Sequence, residues 1–281
     1  MSPLNSDELE TVHFHQVDAV GILTLNRPGQ LNAMNRRMLQ EFHRVLDHVQ
    51  ADDSIRALVL SGEGKAFCSG FDLMEQMEAR PQGIAAWQKI LQDDFDAIIR
   101  FWRLGKPTVA AVRGACLASG LELALSCDIT LAAENAVFGL PELKFGAGIV
   151  VMILPWLIGA KKAKELILLG EDFGAAEAER IGLINRVLPT ESVLNEALRL
   201  ARRLAVVDPR LMRTSKAAIN RSYEIMGMGE ALQTALDMDL LVEAEGSPDK
   251  AAFMEVVRHG GLRAAIEWRD RRFNAGRNPG G

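Results

Sequence analysis

Cysteine is scarce in this chain: three residues in 281, Cys68, Cys116 and Cys127, each embedded in an apolar run. That excludes a disulfide framework and fits a reducing cytoplasm, where a buried cysteine is a small hydrophobe. Histidine is scarce too. His13, His15, His43, His48 and His259 fall at the chain's edges or on amphipathic helices and read as surface or structural groups, which leaves no metal-ligand cluster. Positive charge is not in excess. With 32 basic and 37 acidic side chains the net charge is −5, which argues against nucleic acid as a partner; an anionic ligand needs a local basic cluster. Long apolar runs are missing as well. The longest, Phe145 to Ala160, is broken by Pro155 and several glycines and falls short of the roughly 20 residues of a spanning helix. It reads as a buried loop and helix, with no membrane partner. The polar, acidic stretch Met1 to Glu10 resembles neither a secretory signal nor a presequence.

What is present is an ordinary soluble composition, 48% hydrophobic and 25% charged, long enough for one large domain or a core with a helical appendage. Val20 to Leu25, Ile55 to Leu60, Thr108 to Val112, Ile129 to Ala133 and Ile184 to Leu188 read as strands. Apolar spacing predicts helices over Met34 to Val49, after Phe71 with Asp72 as N-cap, and over Ile84 to Leu104 and Ser119 to Ser126. From Ala160 the pattern turns helical, with helices over 160–169 and 175–181 and three or four more from Pro189 to Phe273. The tail from Asn274 reads as disordered. Strands thus alternate with helices over two-thirds of the chain, an α/β class, and the only soft boundary is Asp208-Pro209. Asp52-Asp53 and Asp93-Asp94 read as solvated charges.

Two segments carry the chemistry: Gly114-Ala-Cys-Leu-Ala-Ser-Gly-Leu-Glu-Leu-Ala-Leu-Ser-Cys-Asp128 and Phe138-Gly-Leu-Pro-Glu142. Each brings one glutamate, Glu122 or Glu142, into an apolar setting where carboxylates are seldom left unless paired or used. The first has the form strand, small-residue turn, helix. That form aims free backbone N–H groups at a developing anion with a carboxylate beside it. Singly, either glutamate is equally readable as structural, paired with an arginine or capping a helix. The loop Gly62 to Leu73 is no phosphate loop, since Val59 and Ala66 stand where glycine and Ser or Thr are needed. Ser69 and Ser119 lack the Gly-x-Ser-x-Gly frame and a nearby histidine, so neither reads as a nucleophile.

Taken together, five ordered motifs resemble the crotonase (enoyl-CoA hydratase/isomerase) superfamily. They are Asn26-Arg-Pro with Leu31-Asn-Ala-Met, Lys65-Ala-Phe-Cys-Ser-Gly-Phe-Asp-Leu73, Lys106 to Gly114, Leu121 to Asp128, and Phe138 to Glu142. The likeness runs on through Gly182 to Pro189 to the final helix. It implies a crotonase-type ββα spiral core over 1–207, followed by a C-terminal helical oligomerisation region over 208–281 that assembles trimers or dimers of trimers and completes part of the CoA/acyl site. It implies an acyl-CoA thioester substrate with no separate cofactor and no metal. By the same resemblance Phe71 and Ser119 supply the oxyanion-hole N–H groups and Glu122 and Glu142 are catalytic. Substrate or CoA contacts fall at Arg27, Ala33, Lys65, Ala66, Gly70, Asp72, Leu73 and Gly120, and Arg269, Arg271 and Arg272 are further basic candidates. Two glutamates favour reversible hydration of a 2-enoyl-CoA; Δ3,Δ2-enoyl-CoA isomerisation through Glu142 alone is the alternative, and a silent scaffold a third reading. The chain departs from the hydratase pattern at Leu140 and at Gly146 to Leu154. There Ile149, Val150, Val151 and Met152 replace small residues, and a reshaped acyl site is expected.

Overall fold

Side chains of the central strands point alternately to two buried faces, and that alternation organises the molecule. The structure, a computed structural model, describes residues 4–79 and 81–274; the expected disordered tail lies, beyond Asn274, outside the described residues. Its strands are β1 (Val12–Val17), β2 (Val20–Leu25), β3 (Ala57–Gly62), β4 (Thr108–Val112), β5 (Ala115–Leu117), β6 (Ile129–Ala133), β7 (Val137–Gly139), β8 (Phe173–Gly174) and β9 (Arg186–Leu188). Its helices are α1 (Arg36–Ala51), α2 (Leu73–Ala79), α3 (Gly83–Arg103), α4 (Ser119–Leu125), α5 (Leu154–Leu157) and α6 (Ala160–Leu169). They continue with α7 (Ala175–Arg180), α8 (Val193–Ala205), α9 (Pro209–Ile225), α10 (Met228–Glu245) and α11 (Pro248–Asn274), the last kinked at Gly261.

One sheet runs β1-β2-β3-β4-β6-β9, antiparallel only at β1-β2; a second, small sheet runs β5-β7-β8. Every residue of β3 and β4 is buried, the mark of parallel strands covered on both faces. Ala57, Val59, Val109 and Ala111 pack under Val193, Ala197, Ala201 and Ala205 of α8. Leu58, Leu60, Ala110 and Val112 face the main core, which holds α1, α3 and α4 and takes in Leu232 and Leu236 of α10. Small alanines on α8 let it lie close on the sheet, and each buried Val or Leu contributes about 1.5–3 kcal/mol.

Several expectations need adjustment. Helix α1 starts at Arg36, because Asn35 caps it by accepting from the Met38 N–H at 3.0 Å. Strand β3 begins at Ala57 and runs to Gly62, two residues past the expected Leu60, and β9 begins at Arg186. Strand β1 was not anticipated, although its inward residues Val12 and Phe14 alternate with exposed His13 and His15. Asp94 is not a solvated charge. It is fully buried, paired with Arg36 at 2.8 Å, and burial still pushes it up to about 7. Asp72 caps α2 as expected, accepting from the Met74 N–H at 3.0 Å.

Asp128, the last residue of the glutamate-bearing segment, ties the layers together. Its carboxylate accepts from the Thr108 N–H at 2.7 Å, the Thr108 hydroxyl at 3.0 Å and the buried Lys216 ammonium of α9 at 2.7 Å. Removing one partner of such a pair strands the other charge. Asp128→Ala is therefore expected to destabilise the fold by about 3 kcal/mol in urea unfolding, because the Lys216 ammonium that it strands is the buried partner. A change within error would show that the pair holds nothing in place.

Candidate active site

The site forms where two chain segments approach too closely for side chains. Cys68 and Cys116 pair as a parallel bridge, and the Leu117 N–H donates to the Cys68 carbonyl at 3.0 Å. A Cβ added at Gly120 would stand 2.4 Å from the Cys68 carbonyl oxygen, and one at Gly70, where φ is +101°, would stand 2.8 Å from the Ala118 Cβ. Ala118 itself has φ +52° and ψ −134°, a strained conformation for a residue with a Cβ. The turn it makes starts α4 at Ser119. Among the described residues neither the Phe71 N–H nor the Ser119 N–H donates to any backbone or side-chain acceptor. Two free donors on adjoining loops, one of them at a helix start, are what an anion receptor requires.

The neighbouring loop is fastened by a residue the sequence reading passed over. Asn32 is fully buried with φ +56°. It donates to the Glu63 carbonyl at 2.9 Å and the Ala66 carbonyl at 2.8 Å, and accepts from the Arg27 N–H at 2.9 Å. Arg27 in turn pairs with Asp72 at 2.8 Å and donates to the Ala33 carbonyl. Arg27, Ala33, Ala66, Gly70 and Asp72 are thus brought together around Asn32 and the oxyanion loop. Lys65 is exposed on its rim, Gly120 lies under it, and Leu73 leads away towards Phe145 and Phe253. Within their own chain the C-terminal arginines, expected to reach the site of a neighbouring subunit, stay away from this one. Arg269 pairs with Asp270, Arg272 with Asp249 at 2.9 Å, and Arg271 is exposed. Cys68 is no nucleophile: burial pushes its thiol up to about 12.

Glu122 comes from the first turn of α4 and Glu142 from a short 3-10 turn after Pro141. They are 2% and 4% exposed, and no oxygen of either carboxyl has a hydrogen-bond partner. The pair is set apart by comparison with Glu41, which is just as inaccessible. Burial would raise Glu41, yet the Glu10 and Thr11 N–H groups, the Thr11 hydroxyl and Arg37 hold it below the usual range. Glu122 is raised well above that range, first by burial and then by the Glu142 charge; the Val151 N–H and Ser119 hydroxyl nearby oppose this without reaching hydrogen-bond geometry. Burial brings Glu142 up to about 8, with Asp239 adding to the rise. Of the bulky loop expected to line the site, Val151 sits against Glu122, while Ile149 and Val150 are buried in the core and Met152 is half-buried.

Asp239 is a third carboxyl here, unanticipated. It sits on α10, 5% exposed, and its charge acts on both glutamates. A signal existed in the stripe Met228, Leu232, Leu236, Asp239, Glu243, an apolar helix face that carries two acids.

Receptor and carboxyls suit enolate chemistry: a thioester oxygen held by two N–H groups while acids move protons. Comparisons with known proteins agree. The family model for enoyl-CoA hydratase/isomerase matches residues 15–258. The chain belongs to that family and has its crotonase fold. It is 34% identical over 262 residues to a probable enoyl-CoA hydratase of Mycobacterium tuberculosis, covering 88% of this chain and 95% of that one. It is 36% identical to the short-chain-enoyl-CoA hydratase of Clostridium acetobutylicum, covering 77% and 84%. A crystal structure of an enoyl-CoA hydratase/isomerase from Xanthobacter autotrophicus Py2 superposes with a TM-score of 0.92 at 53% identity, covering 94% of this chain and 98% of that one. The protein is an enzyme family member, and among the described residues no helix is long and apolar enough to cross a membrane.

Raised carboxyls carry a stability cost with a definite sign. Unfolded, Glu142 releases its proton near 4.5; folded, it keeps it to about 8. Folding between these values takes up a proton, so this contribution falls as pH rises through that window. Glu142→Gln removes the effect. Its stability relative to wild type should climb by about 2 kcal/mol or more from pH 5 to pH 8 in urea unfolding. A constant difference across that range would mean the carboxyl is not buried as described.

Proposed function

We propose that the protein is an enoyl-CoA hydratase, adding water reversibly to a 2-enoyl-CoA to give the 3-hydroxyacyl-CoA. The observation that carries this is the pair of buried, unpartnered glutamates beside two free N–H groups. The thioester oxygen accepts from the Phe71 and Ser119 N–H groups and becomes an enolate oxygen as water attacks the β-carbon. Glu122 takes the proton of that water, and Glu142 protonates the α-carbon. One carboxyl must be ionised while the other holds a proton, and two raised, mutually repelling acids share one proton in this way. Oxidation states do not change overall, so coenzyme A on the substrate is the only cofactor the reaction calls for. Arg27 and Lys65 are our candidates for its anionic arm, and the reduced, buried thiols fit a cytoplasmic setting. The names of the Mycobacterium and Clostridium relatives support the hydratase reading. The bulky loop beside Glu122 favours a second reading, double-bond isomerisation through Glu142 alone, because it crowds the side where water would sit.

Turnover of CoA thioesters in heavy-oxygen water, read by mass spectrometry, separates the two: label enters the product of a hydratase and not of an isomerase. Glu142→Gln should lower turnover by about 10²–10⁴ with the fold intact, the scale of a general acid–base group. Glu122→Gln should abolish hydration and spare any isomerisation of a 3-enoyl-CoA. Near wild-type hydration by either variant removes that glutamate from the mechanism.

The assembly we propose is a homotrimer or a dimer of trimers. Leu211, Ile219 and Ile225 of α9 and Met238 and Leu241 of α10 are all more than half exposed, an apolar surface unusual for a monomer. Light scattering should return three or six times the 30.8 kDa chain mass; a monomer would overturn the proposal.

A further inference from the structure

The mechanism above uses two of the three carboxyls that share this enclosure. Asp239 remains, and its surroundings are specific. Gly148 lies so close that a Cβ there would stand 1.8 Å from Asp239 Oδ1, so the backbone of the Gly146–Leu154 loop is moulded to this acid. Oδ1 is buried and accepts no hydrogen bond; the nearby Gly148 N–H opposes the rise of this carboxyl without reaching hydrogen-bond geometry. The charged groups around Asp239 are Glu122 from α4, Glu142 from the turn after Pro141, Glu243 one turn along α10, and Lys250 from α11. Three of these are acids. The single cation, Lys250, is already bound to Glu243 and lies over the Trp87 ring at 4.6 Å. The other deeply buried acids outside the glutamate pair each have a partner: Glu41 has four donors, Asp94 has Arg36 and Glu243 has Lys250.

A carboxyl left with an unused oxygen in a dry enclosure costs stability unless something supplied later completes it. The loop around it is otherwise apolar, with Ile149, Val150, Val151 and Ile153 all buried. An unsubstituted hydrocarbon chain bound here would fill space and leave Asp239 unsatisfied. A chain with a hydroxyl would satisfy it whether the acid is ionised, when it accepts, or protonated, when it donates.

We propose that Asp239 is a specificity-determining residue that recognises a hydrogen-bonding substituent, a hydroxyl in the first instance, on the acyl chain of the CoA thioester. The inference rests on the acyl-CoA reading of the site and adds the class of acyl group. The residue acts through binding of the acyl chain, apart from the proton transfers of Glu122 and Glu142. A site built to pair with a polar group penalises the analogue that lacks it, because its own polar atom is then buried alone.

The experiment is calorimetric binding of two saturated ligands, butyryl-CoA and its counterpart with a hydroxyl on the terminal carbon. Neither turns over as an alkene, so binding is read without chemistry. Wild type is expected to bind the hydroxylated ligand at least about tenfold more tightly. Asp239→Leu should erase or reverse that preference. Asp239→Asn, which keeps a donor, an acceptor and the side-chain shape, should retain most of it and controls for loss of fold. Equal binding of both ligands by wild type, or a preference that survives Asp239→Leu, overturns the inference while leaving the hydratase reading standing. Failure of either ligand to bind at all would sink the acyl-CoA reading and this inference with it.

Discussion

The close contact between the Cys68–Gly70 loop and the Leu117–Gly120 turn is the constraint on which the rest depends. Gly120 meets the Cys68 carbonyl and Gly70 meets Ala118 at distances that admit no side chain. Although the backbones touch, neither the Phe71 nor the Ser119 N–H is consumed by the other loop. Holding Ala118 at positive φ costs roughly 1–3 kcal/mol. That strain persists because both segments are anchored in sheets: the fully buried β3 leads into the first loop, and β5, paired with β7, leads straight into the second. The sheet fixes the strand ends, and the strand ends fix the donors. Function here is written in main-chain geometry.

The carboxyls follow a second rule. The same protein buries Glu41 with four donors and Asp94 beside the Arg36 cation, whereas Glu122 and Glu142 have no donor, so a buried carboxyl without donor or cation marks the site. Low dielectric raises both glutamates and strengthens each one's effect on a charge forming in front of it. The fold tolerates this because its cost is small beside the apolar area packed around the sheet. An acid kept protonated to about 8 is a poor contributor to stability at neutral pH and a useful proton donor.

Legibility in the sequence divided along physical lines. Ala57–Gly62, Thr108–Val112 and Ile129–Ala133 were readable because strands buried on both faces are continuous apolar runs. The turn into α4 was readable because small residues crowd it and a glutamate follows in an apolar helix. Strands β5, β7 and β8 were not, since segments of two or three residues have no periodicity and exist only through pairing with one another. Val12–Val17 did carry an alternating pattern, masked by its two histidines. Asn32 stood inside a quoted motif, yet its anchoring bonds reach residues more than thirty positions away. Asp94 shows the limit of charge reading: an acid on a helix looks solvated until Arg36, far back in the chain, is folded over it.

Asp239 extends this lesson to the C-terminal helices. Helix α10 packs along α3, placing Leu232 and Leu236 in the main core, and this docking carries Asp239 to the glutamates. Lys216 of α9 reaches back to Asp128, the residue that closes the Glu122 helix onto β4. The residues after Asp208 therefore reach the candidate site at two points, one beside the glutamates and one behind the Glu122 helix. Their outward faces stay apolar, with Leu211, Ile219 and Leu241 exposed. A subunit contact on those faces would press on the same helices that hold Asp239 and Asp128 in position. Assembly and acyl recognition would then share one mechanical element, since α10 carries an exposed apolar face on one side and a pocket acid on the other.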